Sequence, residues 1–249
     1  MNLFDYEALA EATIPAQLWD FFVAGAGDGI TLVENRRAFE RIALRPRMLV
    51  DVSRIDMTTT VLGAAVAAPI LIAPTGAHGA LHVDGDVATV RGAGRAGLGM
   101  VASGGSNQTV EAIAAAASAP LWQQIYLFPE RRRSEALARR AEAAGCRAIV
   151  LTVDAPLFGR KERSLRTEGE FEWPDSANLA GLPPPTIKPP RGAPATWADV
   201  DWLMTITGLP IVLKGLLTAE DAAMAAQQDF GAVVVSNHSW WSATRHSRR

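Results

Sequence analysis

The chain has 249 residues, 49% of them hydrophobic and 20% charged, enough apolar material for one sizeable core, as two ordinary domains or as one α/β barrel. A formal net charge of −2 and a pI near 6.1 leave no electrostatic footprint for nucleic acid or an anionic membrane surface. A single cysteine, Cys146, excludes an internal disulfide and fits a reducing cytoplasm.

The start, MNLFDYEALAEA, carries acidic residues where a signal peptide needs basic ones, and no apolar run approaches the length of a membrane span. The expectation is a soluble, cytoplasmic protein. Residues 14–42 read as helical, with aromatic and aliphatic residues to pack against a core and Gly25, Gly27 and Gly29 to break the helix near its middle. This sets a helical segment over 1–44, ahead of the main body.

From there short β-branched runs alternate with alanine-rich stretches of helical period. Strands are expected at 69–74, 99–104, 121–127, 147–154, 210–215 and 231–237, with helices within 84–97, 107–118, 131–145, 196–208 and 218–231. Thr218 supplies an N-cap for the last helix, with Glu220 and Asp221 in its acidic first turn. Cys146 reads as a small buried residue entering a strand, and Arg131, Arg132 and Arg133 as a solvated helix start. Residues 159–198 are proline-rich and aperiodic, a functional lid or a loop without order. The last stretch, 239–249, holds two adjacent tryptophans and basic residues and has no strand period.

Apolar strands each followed by a helix imply a parallel sheet covered by helices, either doubly wound or closed into a (β/α) barrel. No Gly-rich dinucleotide fingerprint follows the first strand. Polar residues instead cluster at the strands' C-terminal ends: Thr75, Ser103, Gln124, Tyr126, Thr152, Asp154, Lys214 and His238. Barrel enzymes gather their chemistry on that face, which favours a (β/α)8 barrel with about six of its eight strands present over 45–238.

Several local runs carry a resemblance: ENRRAFERIALRPRML (34–49), IAPTGAHGALHVDGD (72–86), QQIYLFPE (123–130), LTVDAP with GRKER, and LPIVLKGLLTAEDA leading to VVVSNH. In order and spacing these resemble the FMN-dependent 2-hydroxy acid oxidase and dehydrogenase family, which includes glycolate oxidase, lactate oxidase and mandelate dehydrogenase. The resemblance implies an FMN-binding (β/α)8 barrel that oxidises an (S)-2-hydroxy acid to the 2-keto acid. It assigns Pro74, Thr75 and Gly76 to the reactive N5 edge of the flavin, Ser103, Gln124 and Thr152 to the ring, and Lys214 to the N1 edge, where an ammonium stabilises reduced flavin. His238 matches the catalytic base, suited by an imidazole pKa of roughly 6.5. Asp154 matches the carboxylate orienting that base, and Tyr126 the tyrosine that hydrogen-bonds substrate.

The chain departs from the family pattern in three places. Lys161 replaces an arginine and keeps the charge without the planar fork that grips a carboxylate at two points. Phe21 replaces a substrate-facing tyrosine. After His238, Trp241 stands where a second carboxylate-binding arginine is expected, and no Asp-Gly-Gly or Gly-Arg segment for the FMN phosphate follows. The resemblance therefore implies either an FMN enzyme or a truncated, non-catalytic remnant without the phosphate site. A different phosphate-binding barrel, such as a type 2 isoprenoid isomerase, would need TVDAP and SNH to be coincidence. The partners expected are a small 2-hydroxy acid, an unidentified electron acceptor and further copies in a homo-oligomer. His78 and His82 lie four residues apart in a glycine-rich loop, and no metal site is assigned to them.

Overall fold

A computed structural model describes residues 2–155, 161–166, 176–182, 195–228 and 230–238. They fall into two compact units, one gathering the N-terminal 52 residues with 161–166 and His238, the other holding the remainder.

The first unit is helical. α1 (Leu3–Thr13) starts on a reciprocal cap: Asn2 Oδ1 accepts the backbone N–H groups of Phe4 and Asp5, and the Asp5 carboxylate accepts that of Asn2 at 2.6 Å. α2 (Ala16–Val23) follows Pro15 and fully buries Leu18. The expected break falls between Val23 and Ile30, where α3 (Ile30–Glu40) begins after Gly29 in the left-handed region at φ 70°.

The second unit opens with an antiparallel hairpin, β1 (Thr59–Val61) and β2 (Ala64–Val66), in which Thr59 faces Val66. A parallel sheet follows: β3 (Leu71–Ile72), α4 (Gly85–Arg95), β4 (Gly99–Ala102), α5 (Val110–Ala116), β5 (Leu121–Ile125), α6 (Arg131–Ala143) and β6 (Ile149–Thr152). The short α7 (Glu162–Arg166) belongs to the first unit. The second unit resumes with α8 (Trp197–Ile206), β7 (Ile211–Leu216), α9 (Ala219–Ala226) and β8 (Ala232–Val235). The six parallel strands run in the order β3-β4-β5-β6-β7-β8, each paired with its sequence neighbour, and curl into a half-barrel. All six expected strands are present, and Thr218 caps α9 by accepting the Asp221 N–H.

Strand alternation separates two cores. Outward-facing Met100, Ile125, Ile149, Leu151 and Leu213 meet Val90, Ile113, Leu137, Leu203 and Ala225 of the covering helices. Inward-facing Val101, Trp122, Ala148, Val150 and Val212 form a smaller cluster with Leu71 and Ala232, and Val61 and Leu62 of the hairpin pack onto it. Each fully buried aliphatic side chain contributes about 1.5–3 kcal/mol of transfer free energy.

The hairpin went unforeseen because its turn lacks the usual signal. Leu62 and Gly63 both have positive φ, 47° and 75°, the geometry that Asn-Gly normally marks. The arginine cluster starts α6 with Arg131 and Arg132 exposed, Arg131 pairing with Asp199 at 2.7 Å and lying over Trp202; Arg133 is the correction, buried over the Phe128 ring, since a guanidinium stacked on an aromatic face packs as well as it solvates. Only 161–166, 176–182 and 195–198 of the expected lid are described, and the 239–249 tail with Trp241 lies outside the described residues.

Candidate active site

The register explains why the polar residues at the strand ends converge. Val101, Trp122, Val150 and Val212 face the barrel interior, so the residues two positions further on, Ser103, Gln124, Thr152 and Lys214, face it too, one layer nearer the C-terminal end. Thr152 and Lys214 are direct partners across β6 and β7. All four are buried. An apolar interior floor is thus topped by a layer carrying a hydroxyl, an amide, a second hydroxyl and an ammonium.

Hydrogen bonds tie the layer together. Gln124 Nε2 donates to Thr152 Oγ1 at 3.0 Å, and Gln124 Oε1 accepts the Gly104 N–H at 3.0 Å. Gly104 must be small, because a Cβ there would sit 2.9 Å from the Gln124 carbonyl oxygen. Lys214 Nζ donates to Ser236 Oγ at 3.3 Å. Burial pushes the Lys214 ammonium below the ordinary lysine range, and the Asp154 carboxylate acts in the opposite sense. Asp154 is itself buried against the bulge in β7: a Cβ on Gly215, at φ 115°, would lie 2.5 Å from Asp154 Cβ.

Pro74, Thr75 and Gly76 follow β3 at the same end, and Gly76 lies beside Ser103, whose Oγ would be 3.7 Å from a Cβ at that glycine. Tyr126 follows β5 immediately, two residues beyond Gln124. Pro74, Thr75, Gly76, Ser103, Gln124, Tyr126, Thr152, Asp154 and Lys214 therefore all sit at one end of one sheet. In the helical unit, Lys161 Nζ donates to the Phe21 carbonyl at 2.7 Å and lies 3.8 Å from the Phe21 ring centroid. His238 is grouped with that unit and lies three residues past Val235, the last residue of β8.

Sequence reasoning missed a clamp in the loops beside this layer. Asp86, fully buried in the first turn of α4, accepts from Ser106 Oγ at 2.6 Å and faces His78 Nδ1 at 3.6 Å. Ser106 Oγ also accepts the Gln108 N–H, and Gln108 Oε1 accepts that of Val87. The loop carrying Thr75 and Gly76 is thereby tied to the loop carrying Ser103. An acid in a helix's first turn was the visible signal; its partner 20 residues away was not. His78 and His82 have separate partners, Thr89 Oγ1 and the Asp84 N–H. A cleft of about 490 Å³ lies elsewhere, lined by hairpin residues Gly63–Ala65, by 117–121 and by Arg147.

A parallel α/β half-barrel with its polar layer at the strands' C-terminal ends belongs to the class of barrel enzymes. Comparison narrows the class. The family model "FMN-dependent dehydrogenase" matches residues 10–239. An L-lactate oxidase from Nostoc sp. is 44% identical over 96% of this chain and 70% of its own length. Glycolate oxidase from Spinacia oleracea is 41% identical over 95% of this chain and 68% of its own. Among solved structures, mandelate oxidase with (S)-4-hydroxymandelic acid superposes with a TM-score of 0.86 at 36% identity, covering 95% of this chain and 70% of that one. A mandelate oxidase variant with a C4a-OH-FMN adduct gives 0.85 at 37%, covering 94% and 68%. The chain belongs to the FMN-dependent 2-hydroxy acid oxidase and dehydrogenase family, and corresponds to the N-terminal part of these relatives.

The donor set suits the ring of that cofactor. An isoalloxazine edge presents carbonyls and ring nitrogens, and the layer offers an amide, two hydroxyls and a buried ammonium to meet them. No described residue is assigned to its phosphate.

Proposed function

We propose that this chain oxidises an (S)-2-hydroxy acid to the corresponding 2-keto acid, with Pro74, Thr75, Gly76, Ser103, Gln124, Thr152 and Lys214 holding FMN. The reading is supported above all by the buried layer Ser103–Gln124–Thr152–Lys214 at the C-terminal strand ends. FMN, when bound, supplies the acceptor for two electrons.

The chain's residues do the rest. His238 accepts a proton from the substrate, a task imidazole performs near neutral pH. Asp154 orients that imidazole and offsets the charge it gains. Tyr126 donates a hydrogen bond to the substrate, and Lys161 attracts its carboxylate, with Phe21 giving an apolar wall. Lys214 places a positive charge in a buried layer, where it acts more strongly than in water. Support for His238 is its motif, Ser-Asn-His at the end of β8. Among the described residues no helix is long and apolar enough to cross a membrane, and a cytoplasmic enzyme working on small hydroxy acids is consistent with this.

One absorbance experiment tests the reading. Purified chain reconstituted with FMN should retain a flavin band in the blue that bleaches anaerobically on adding lactate, glycolate or mandelate. Colourless protein after excess FMN overturns it and favours the competing reading, a family chain without a productive flavin site. The competing reading draws on the parallel sheet of the described residues, which has six strands where a closed barrel has eight.

A further inference from the structure

One oxygen atom in the loops beside the polar layer has no donor. Asp86 is fully buried, and its Oδ1 has no hydrogen-bond partner among the described residues, while its Oδ2 receives the Ser106 hydroxyl. Facing that Oδ1 at 3.6 Å is Nδ1 of His78, whose side chain is only 13% exposed. His78 Nδ1 also lies 3.1 Å from Thr89 Oγ1, and the same hydroxyl lies 3.5 Å from the Gly85 carbonyl oxygen. The hydroxyl has one proton to give. If Thr89 donates to a bare Nδ1, a buried carboxylate oxygen is left opposite a lone pair, with nothing to offset its desolvation. If Thr89 donates to Gly85 instead, Nδ1 carries a proton, donates to Thr89 Oγ1 and turns the positive side of that N–H towards Asp86. Only the second arrangement suits a buried anion.

The backbone next to this ring is strained. Ala77, between Gly76 and His78, sits in the left-handed region at φ 59°, which a residue with a Cβ keeps only where its surroundings over-determine it. Two contacts do so, and both run to the loop after β4. His78 reaches Ser106 through Asp86, and the Gly79 N–H donates to Asn107 Oδ1 at 3.0 Å. Gly79 lies so close to Asn107 that a Cβ there would overlap the side-chain amide. We propose that His78, with its proton fixed on Nδ1 by Asp86, is a positioning residue that holds the Thr75–Gly76 backbone in place for the flavin. The proposal rests on the flavin reading of those two residues.

Nitrogen-15 NMR of the imidazoles in the full chain gives the first test, with the His78 signals assigned by their loss in His78→Gln. The parent should show a protonated Nδ1 at about pH 8, where free histidine prefers the Nε2–H form. The second test compares two replacements of similar size. His78→Leu has no donor for Asp86, and should speed hydrogen exchange of the Gly79 amide by about tenfold and raise the FMN dissociation constant by a similar factor. His78→Gln keeps an N–H donor and should recover most of both losses. A role in filling space alone would make the two variants alike and overturn the proposal, as would an Nε2–H tautomer in the parent. A parent that takes up no FMN, with Gly79 loosened only by the leucine, counts against the flavin reading alone.

Discussion

Lys214 is the residue on which burial and chemistry make opposing demands. Its ammonium is buried and held below the ordinary lysine range, so in the acid-to-neutral range folding bears a desolvation cost. Between the lowered folded pKa and the unfolded value near 10.4 the unfolded chain binds more protons, so stability rises with pH there. In Lys214→Met this rise of stability with pH between neutrality and pH 10 should therefore flatten, as followed by thermal melting across that range. The same variant should bind FMN more weakly in a fluorescence titration. Glu111 behaves in the reverse sense. Its two oxygens receive the Arg140 guanidinium at 2.8 Å each, which lowers its pKa to about 2. That stabilisation is complete above the ordinary value of 4.5 and is lost as pH falls towards 2. Because the pair is partly exposed, Glu111→Gln should cost only about 0.5–1 kcal/mol at pH 7 in denaturant titrations, and nothing near pH 2.

At the scale of elements, the strands were legible because each is a short apolar run between glycine, proline and helical signals. The β1–β2 hairpin was not, since Leu62 occupies a turn position whose positive φ is usually advertised by asparagine. Candidate site residues could be read as strand-end positions, and the register accounts for Ser103, Gln124, Thr152 and Lys214 sharing a layer. The Asp86–Ser106 clamp could not be read, because a pair joined across two loops leaves no periodic trace. The bulge in β7 gives a direct test at this scale. Gly215 combines φ 115° with Asp154 close against it. Gly215→Ala should destabilise by at least about 2 kcal/mol in urea unfolding, by backbone strain and by displacing the Asp154 carboxylate.

Across the whole molecule, stability rests on the layer between sheet and helices, where Cys146 packs with Leu137, Ala141 and Ile149. Burial pushes the Cys146 thiol up to about 12, so little thiolate forms at neutral pH. A maleimide probe at pH 7 should label it only as fast as this core opens, and labelling should accelerate with urea in step with loss of far-UV circular dichroism. Fast labelling in native buffer would mean that the core around β6 is loose. The two-unit division was only half legible: the helical character of residues 3–40 showed in the sequence, whereas the grouping of 161–166 and His238 with them did not, since long-range association leaves no local pattern.

The hairpin has a consequence for access. With Val61 and Leu62 seated on the inward-facing cluster, the N-terminal mouth of the half-barrel is plugged by side chains. The interior is in effect a cup with a stoppered base. A solute approaching Gln124 or Lys214 from that base would meet apolar side chains first, which leaves the loops at the strands' C-terminal ends and the open side between β3 and β8 as the ways in.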